Sequence, residues 1–312
     1  VIEDDAGRIL LTRRAQHLHQ GGLWEFPGGK LKSGEDTAQA LRREIHEELG
    51  IEVLVHRPLI RISHAYPDRT VLLDVQRVTN WRGEPRGMEG QPLSWVAPEA
   101  LSDYPLPAAD GPIVAAIRLP DQYLITPAEL TDEEILLNHL TLRLQAGIRL
   151  LQLRLPRLAP DRYQMLAQRI ATLCRRYSAR LMLNAPASWV EACGADGVHL
   201  SARRLLACER RPLPANLWLA ASCHDRQQLR HAARIGVDFA VLSPVLATAS
   251  HPEAVPLGWA RFQALVKEVA FPVYALGGMA PGMRDRAWSR GAQGVAAIRG
   301  LWCENGETPL VE

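Results

Sequence analysis

With 312 residues, 47% of them hydrophobic and 22% charged, the chain has the length for two domains and enough apolar material for a core in each. Its formal net charge of +2 excludes a strongly basic surface, so neither nucleic acid nor an anionic membrane is expected as a direct partner. No apolar run reaches the length of a membrane-spanning helix.

The chain opens at Val1 on a turn-like EDDAG, and a first strand is expected upstream of it. Residues 8–12 (RILLT) read as a strand, followed by a loop through HLHQGGLWEFPGG. Residues 37–49 have helical spacing, with Ala38, Leu41, Ile45 and Leu49 on one stripe. Thr37 is the expected N-cap and Gly50 the C-terminal stop. Strands follow at 51–55, 59–63, 71–79 and 93–96, parted by Pro, Gly and Asp turns, and a helix closes the unit at 112–118. This predicts a small α+β domain over residues 1–118.

RLPDQ at 118–122 reads as a linker, and after it the texture changes. Eight apolar strands alternate with helical stretches: YLIT (123–126), LLQLR (150–154), RLMLN (180–184), GVHLS (197–201), LWLAAS (217–222), FAVLSPV (239–245), PVYALGG (272–278) and GVAAIRG (294–300). Strands that are apolar throughout are buried on both faces. Eight of them with intervening helices predict a parallel (β/α)8 TIM barrel over 122–312, with an open doubly wound sheet as the alternative. The five cysteines (174, 193, 208, 223, 303) are widely spaced and form no CxxC pair. That predicts a reducing, cytoplasmic setting with neither a zinc site nor a disulfide framework.

The chemistry concentrates on the first helix. Glu44, Glu47 and Glu48 lie at i, i+3 and i+4, so three carboxylates share one face and repel one another. A solvated acidic face is the ordinary meaning of such a run. Here Arg43 sits beside it, Glu35 lies one loop upstream, and a glycine pair precedes the helix and lets backbone approach a ligand. Hard oxygen ligands on a rigid face suit Mg²⁺ or Mn²⁺, which in turn hold a diphosphate.

Gly29, Glu35, Arg43, Glu44, Ile45, Glu47, Glu48, Gly50 and Ile51 fill every fixed place of the pattern G-x5-E-x7-R-E-U-x-E-E-x-G-U, with U a bulky aliphatic residue. The stretch resembles the Nudix box. LLTRR (10–14), LWEFPGGK (23–30), YPDR (66–69) and GEPRGMEGQPLSW (83–95) resemble the MutT branch of Nudix hydrolases. That likeness implies an α/β/α sandwich with a mixed sheet. It also implies hydrolysis of 8-oxo-dGTP to 8-oxo-dGMP and pyrophosphate, which cleans the nucleotide pool and serves DNA repair. Glu44, Glu47, Glu48, Glu89 and the Gly28 carbonyl would bind metal, with Arg43 completing the catalytic set. Arg14, Phe26, Lys30 and Asp110 would bind substrate. Asp110, in PAADGP, stands where the family carries Asn. Asn donates and accepts at once, whereas a carboxyl does so only when protonated.

From about 122 to 302, YLIT, LLQLR, ADGVHL, LSPVLATASH and YALGGM resemble thiamine phosphate synthase and its relative, the thiazole tautomerase. Gln152, Arg154 and Asn184 occupy places that bind the pyrimidine diphosphate in that family, and Gly277 and Gly278 could offer N–H groups to a phosphate. Four places depart from the pattern: Pro156 and His251 replace lysines, Ala185 replaces an aspartate, and Arg203 and Arg204 replace the acidic pair that would hold Mg²⁺. The departures argue against synthase activity. They leave a tautomerase-like enzyme with His224 as acid/base, or a non-catalytic module that binds a thiamine-related phosphate and regulates the first domain. A damaged thiamine-pathway diphosphate is the alternative substrate for the Nudix box.

Overall fold

The computed structural model describes residues 1–17, 20–65, 70–129, 132–248 and 253–302. It divides into two compact units, Val1–Arg118 and Leu119–Glu312.

In the first unit, strand β1 (Ile9–Arg13) lies between β2 (Trp24–Glu25) and, across the sheet, β5 (Leu93–Val96); both pairings are antiparallel. A long antiparallel ribbon is formed by β3 (Glu52–Ala65) and β4 (Thr70–Arg82). Residues 1–3 join the two pieces: Ile2 bridges Val78 of β4 in parallel, and Glu3 bridges Ile9 of β1 in antiparallel fashion. Helix α1 (Thr37–Leu49) follows the turn after Gly34, and α2 (Gly111–Arg118) closes the unit.

Helix α1 starts and stops for identifiable reasons. Its N-cap is Asp36, not the expected Thr37: the Asp36 carboxylate accepts from the Gln39 amide while the Gln39 side chain accepts from the Asp36 amide. This reciprocal capping box satisfies two amides that the helix itself cannot. At the other end Gly50 takes the left-handed conformation, φ 68°, and its N–H returns to His46. Ala40, Ile45 and Leu49 are the buried stripe. Ile45 and Leu49 meet Ile2, Leu10, Ile51, Val53 and Val78 in the unit's core. Burying each large aliphatic side chain contributes about 1.5–3 kcal/mol, which fixes α1 and leaves its polar face outward.

The two strands expected at 51–55 and 59–63 are one. β3 runs through Pro58 with shifts of register around residues 53–56 and 58–60. Pro58 is tolerated because β3 has a ladder partner on one side only, so a missing N–H can face away from it.

The second unit is a closed parallel barrel, and the open-sheet alternative is set aside. Its strands are β6 (Gln122–Ile125), β7 (Leu150–Leu153), β8 (Arg180–Leu183), β9 (Gly197–Leu200), β10 (Trp218–Cys223), β11 (Phe239–Leu242), β12 (Val273–Leu276) and β13 (Gly294–Ala297), and β13 pairs with β6. The helices between them are α3 (Glu133–Gln145), α4 (Pro160–Arg176), α5 (Val190–Cys193), α6 (Ala202–Ala207), α7 (Arg226–Ile235), α8 (Gly258–Val266) and α9 (Arg284–Ser289), with α10 (Arg299–Trp302) last.

The barrel interior is packed. Tyr123, Phe239 and Tyr274 meet with ring centroids 5.5–5.6 Å apart. Ala220 and Ala296 make room for them. The expected linker is in part barrel floor: Leu119 is buried against this cluster, and its carbonyl accepts from Gln293. The Asp121 carbonyl accepts from the Val295 amide. Among the described residues no helix is long and apolar enough to cross a membrane.

Candidate functional site

The loop ahead of α1 folds back onto the helix's acidic face, and Arg43 is its hub. The Arg43 guanidinium donates to both oxygens of Glu35 (2.6 and 2.8 Å), to Glu44 (2.8 Å), to Glu47 (3.1 Å) and to the Lys30 carbonyl (3.1 Å). A planar guanidinium with five N–H groups can make this set of bonds; an ammonium cannot. The fork on Glu35 holds that carboxyl down to about 2, with the Lys32 amide adding to it. Lys30 reaches the cluster through its carbonyl; its side chain is exposed.

Gly29 explains itself by sterics. A Cβ on Gly29 would lie 2.2 Å from the Glu44 carboxylate. Glycine there lets that carboxylate stand against the loop; a larger residue would make the Glu44 side chain move.

Glu48 turns the other way. Its carboxylate accepts from the Gly28 amide (3.1 Å), and its pKa is pushed up to about 7, first by burial and then by the charges of Glu25, Glu44 and Glu89. Glu89 is exposed in a loop anchored to the end of α1: Met88 N and Gln91 Nε2 both donate to the Glu48 carbonyl, at 3.0 Å.

The expected metal ligands are thus gathered on one face. They are not closed on one point: among the described residues no three His, Cys, Asp or Glu side chains could hold an ion as they stand. The reason is visible in the bonds above, since Glu44 and Glu47 are turned onto Arg43 and Glu48 onto Gly28. The set still fits a hard divalent cation. Its donors are all oxygen, the Gly29 cradle aims Glu44, and the crowding that raises Glu48 is what a cation relieves.

A second polar group adjoins it. Arg14 donates to Glu25 (3.0 Å), whose pKa is raised by burial and held back by that arginine. Arg14 Nε is buried without a hydrogen-bond partner. Asp110 is 8% exposed, and burial together with the Glu25 charge raises its pKa to about 7. Phe26 is half-buried, while Trp24 packs edge-on against Tyr104. Glu25 acts electrostatically on both Glu48 and Asp110, so it links the two groups. Sequence reasoning missed it. Its signal is a lone carboxylate inside the otherwise apolar LWEF. Tyr66, Pro67, Asp68 and Arg69 lie outside the described residues.

In the barrel, Gln152 Nε2 donates to the Tyr123 hydroxyl (3.3 Å), which lies 3.0 Å from His199 Nδ1; His199 Nε2 lies 2.8 Å from Ser222 Oγ. Every buried proton finds a partner if Tyr123 donates to Nδ1 and Nε2–H donates to Ser222. Burial pushes His199 down to about 3, so the imidazole stays neutral, with one ring nitrogen donating and the other accepting. Ser222 is half-buried at the end of β10. The Asn184 side chain donates to the His199 carbonyl (3.1 Å). Gln152 is therefore buried in the network, and Tyr123 and Ser222 join it although no sequence motif drew attention to them.

His224 is exposed, and its Nδ1 lies 2.9 Å from the Ser243 carbonyl. Since a carbonyl only accepts, Nδ1 carries the proton and Nε2 keeps a free lone pair. Gly277 and Gly278 have φ of 96° and 68°; a Cβ on either would come within 2.8 Å of the segment Pro244–Ala247. Their place is set by that close approach. His251 lies outside the described residues.

Comparison with known proteins agrees with both geometries. The NUDIX domain model matches residues 1–116. The 8-oxo-dGTP diphosphatase of Escherichia coli K12 is 36% identical over 118 residues, 38% of this chain and 92% of its own length. The CTP pyrophosphohydrolase of the same organism is 40% identical over 116 residues, 37% of this chain and 85% of its own. The thiamine monophosphate synthase model matches residues 122–301. The solved thiamine phosphate pyrophosphorylase from Pyrococcus furiosus shares the barrel fold, with a TM-score of 0.51 at 23% identity, covering 59% of this chain and 89% of that one. An Arg-centred carboxylate helix in one unit and a closed eight-stranded barrel in the other therefore place the chain in two families at once, the Nudix family through residues 1–116 and the thiamine monophosphate synthase family through residues 122–301.

Proposed function

We propose that residues 1–118 form a Mg²⁺-dependent pyrophosphohydrolase of nucleoside triphosphates, with 8-oxo-dGTP as its leading substrate and Mn²⁺ as an acceptable substitute. The observation that carries this reading is the carboxylate face of α1, organised by Arg43 and cradled at Gly29. Bound there, the cation would neutralise the substrate's phosphates and acidify the attacking water. Glu44, Glu47, Glu48, Glu89 and the Gly28 carbonyl are the groups that would hold it. Arg43 positions Glu44 and Glu47, and a carboxylate of the set takes the proton from water. Lys30, exposed in the loop, would meet the phosphate tail. The products are a nucleoside monophosphate and pyrophosphate.

Asp110 supports the choice of base. With a pKa of about 7, much of it is a neutral carboxylic acid that donates and accepts together. The N7–H and O6 of 8-oxoguanine offer one donor and one acceptor, whereas N7 and O6 of guanine are both acceptors. Arg14 and Phe26 would be further contacts to the base.

The same neutral carboxyl also fits N3 and the amino group of cytosine, and the likeness to a CTP pyrophosphohydrolase favours that second reading. Measuring kcat/KM for 8-oxo-dGTP, dGTP, CTP and thiamine diphosphate with Mg²⁺ separates them. Preference for 8-oxo-dGTP over dGTP is expected below pH 7 and should fade above it as Asp110 ionises. Asp110→Asn should make the preference independent of pH. A preference that ignores both pH and this substitution removes Asp110 from base recognition, and faster turnover of thiamine diphosphate would put the substrate in the thiamine pathway.

For the barrel we propose a unit that binds a thiamine-related phosphate and does not synthesise it. His224, with a bare Nε2, supports a tautomerase-type proton transfer as a second reading. Proton exchange into a bound thiazole phosphate, lost in His224→Gln, would favour the enzyme over the binding module.

A further inference from the structure

The barrel's C-terminal mouth is built for an anion, and the cation it supplies is a side chain. Arg204 is in α6, directly after β9. Its guanidinium is close enough to Tyr163 to lower that phenol's pKa against the rise caused by burial. The Tyr163 hydroxyl donates to the carbonyl of Leu153, the last residue of β7 (2.8 Å), and Asn184 follows β8. Arg204, in α6 directly after β9, therefore lies on the barrel's C-terminal side, as do Arg154 after β7 and Asn184 after β8. Its Nη1 is buried and has no hydrogen-bond partner. A buried guanidinium N–H left unpaired costs more than an ordinary polar group, so a partner is expected to arrive with a ligand.

The surroundings do not supply one. Arg154, after β7, acts electrostatically on His199 and makes no side-chain hydrogen bond or ion pair among the described residues. Ala185, buried at 3%, brings no acid after Asn184. In the described segments that follow β6 to β10, three acids occur and all are engaged elsewhere: Glu129 pairs with Arg157 (3.1 Å), Asp132 caps α3 by accepting from Glu134 N and Ile135 N (2.7 and 3.0 Å), and Asp225 caps α7 by accepting from Gln228 N (2.8 Å). On the floor, the chain from Gln152 through Tyr123 and His199 ends on the half-buried Ser222 hydroxyl. Two fixed positive charges and a hydroxyl, with no free carboxylate in those segments, do not fit Mg²⁺. They fit oxygens that accept and carry negative charge.

We propose that this mouth binds a phosphate monoester dianion without any divalent cation, with Arg204 and Arg154 doing what a metal would otherwise do. The site rests on the barrel reading above and refines it: the ligand is an organic phosphate, held by direct arginine contacts. Two guanidinium charges balance a dianion, whereas a diphosphate would exceed them.

The test is a ³¹P NMR titration of the intact chain with inorganic phosphate, in EDTA and then in Mg²⁺. Binding is expected in EDTA, with a Kd that Mg²⁺ leaves within about twofold. Loss of a charge-assisted contact should weaken it at least about tenfold in Arg204→Met, which keeps the aliphatic packing. Arg204→Lys should recover part of the loss, and the distant, exposed Arg176→Gln should bind like the parent. Binding that requires Mg²⁺, or that Arg204→Met leaves unchanged, overturns the proposal. Glu47→Gln must also bind normally, because phosphate lost with that variant would belong to the other unit. The broader reading fails separately. Thiamine phosphate that binds only with Mg²⁺ would keep the family ligand and remove the metal-free site. Phosphate binding in EDTA with no response to thiamine phosphate would keep the site and remove the ligand.

Discussion

The face of α1 and the mouth of the barrel carry opposite charges, and the two proposals make them opposite ways of holding phosphate. On α1, Glu44, Glu47 and Glu48 crowd one surface, and an internal arginine absorbs only part of their charge. On the proposed function, that surface would meet a polyphosphate through a cation. At the mouth, on the further proposal, Arg204 and Arg154 would carry the charge themselves, and the buried Ala185 brings no acid. The lesson is that fold does not fix how a phosphate is handled; the sign of a few charges at strand and helix ends does.

The largest effect expected is on the acidic side. Glu47→Gln should lower Mg²⁺-dependent turnover by at least about a hundredfold, the usual scale of an electrostatic contribution at an active site. Steady-state kinetics checks it, and near-normal turnover would erase the contrast between the two surfaces. On the barrel side, Tyr123→Phe removes the hydroxyl that joins Gln152 to His199. Two buried polar groups then lose their partner, at a cost of about 1–3 kcal/mol read from denaturant unfolding. A neutral outcome would mean the chain does not orient Ser222.

Glu48 gives a subtler test through pH. Its folded pKa of about 7 lies above that of a free glutamate, so its ionised form is disfavoured in the native state. The penalty is absent well below pH 4.5, grows as pH rises towards 7, and is constant above that. In metal-free buffer Glu48→Gln should therefore match the parent at low pH and become the more stable of the two at pH 8. A constant difference across that range would contradict carboxylate crowding. The smallest effect is at the helix start: Asp36→Ala should cost about 1 kcal/mol with selectivity unchanged.

Much of this was legible in residues. The box from Gly29 to Ile51 announced a helix over 37–49 and its stop at Gly50, because the apolar spacing and the glycine there are local signals. Eight apolar strands announced the barrel. Reading failed where two residues compete for one role or where tertiary contact decides. Asp36 outcompetes Thr37 because Gln39 completes its capping box. Pro58 ends no strand because β3 has a bare edge. Leu119 is floor and not linker because the Gln293 side chain reaches its carbonyl. Glu25, Tyr123 and Ser222 act through neighbours more than ten residues away in sequence, which no local pattern encodes.

The most direct measurement is product formation from 8-oxo-dGTP by the intact chain, followed by chromatography in Mg²⁺ and in EDTA. The account predicts 8-oxo-dGMP and pyrophosphate in Mg²⁺ and nothing in EDTA. Turnover that survives EDTA, or release of inorganic phosphate with a nucleoside diphosphate, would contradict a metal held on the face of α1.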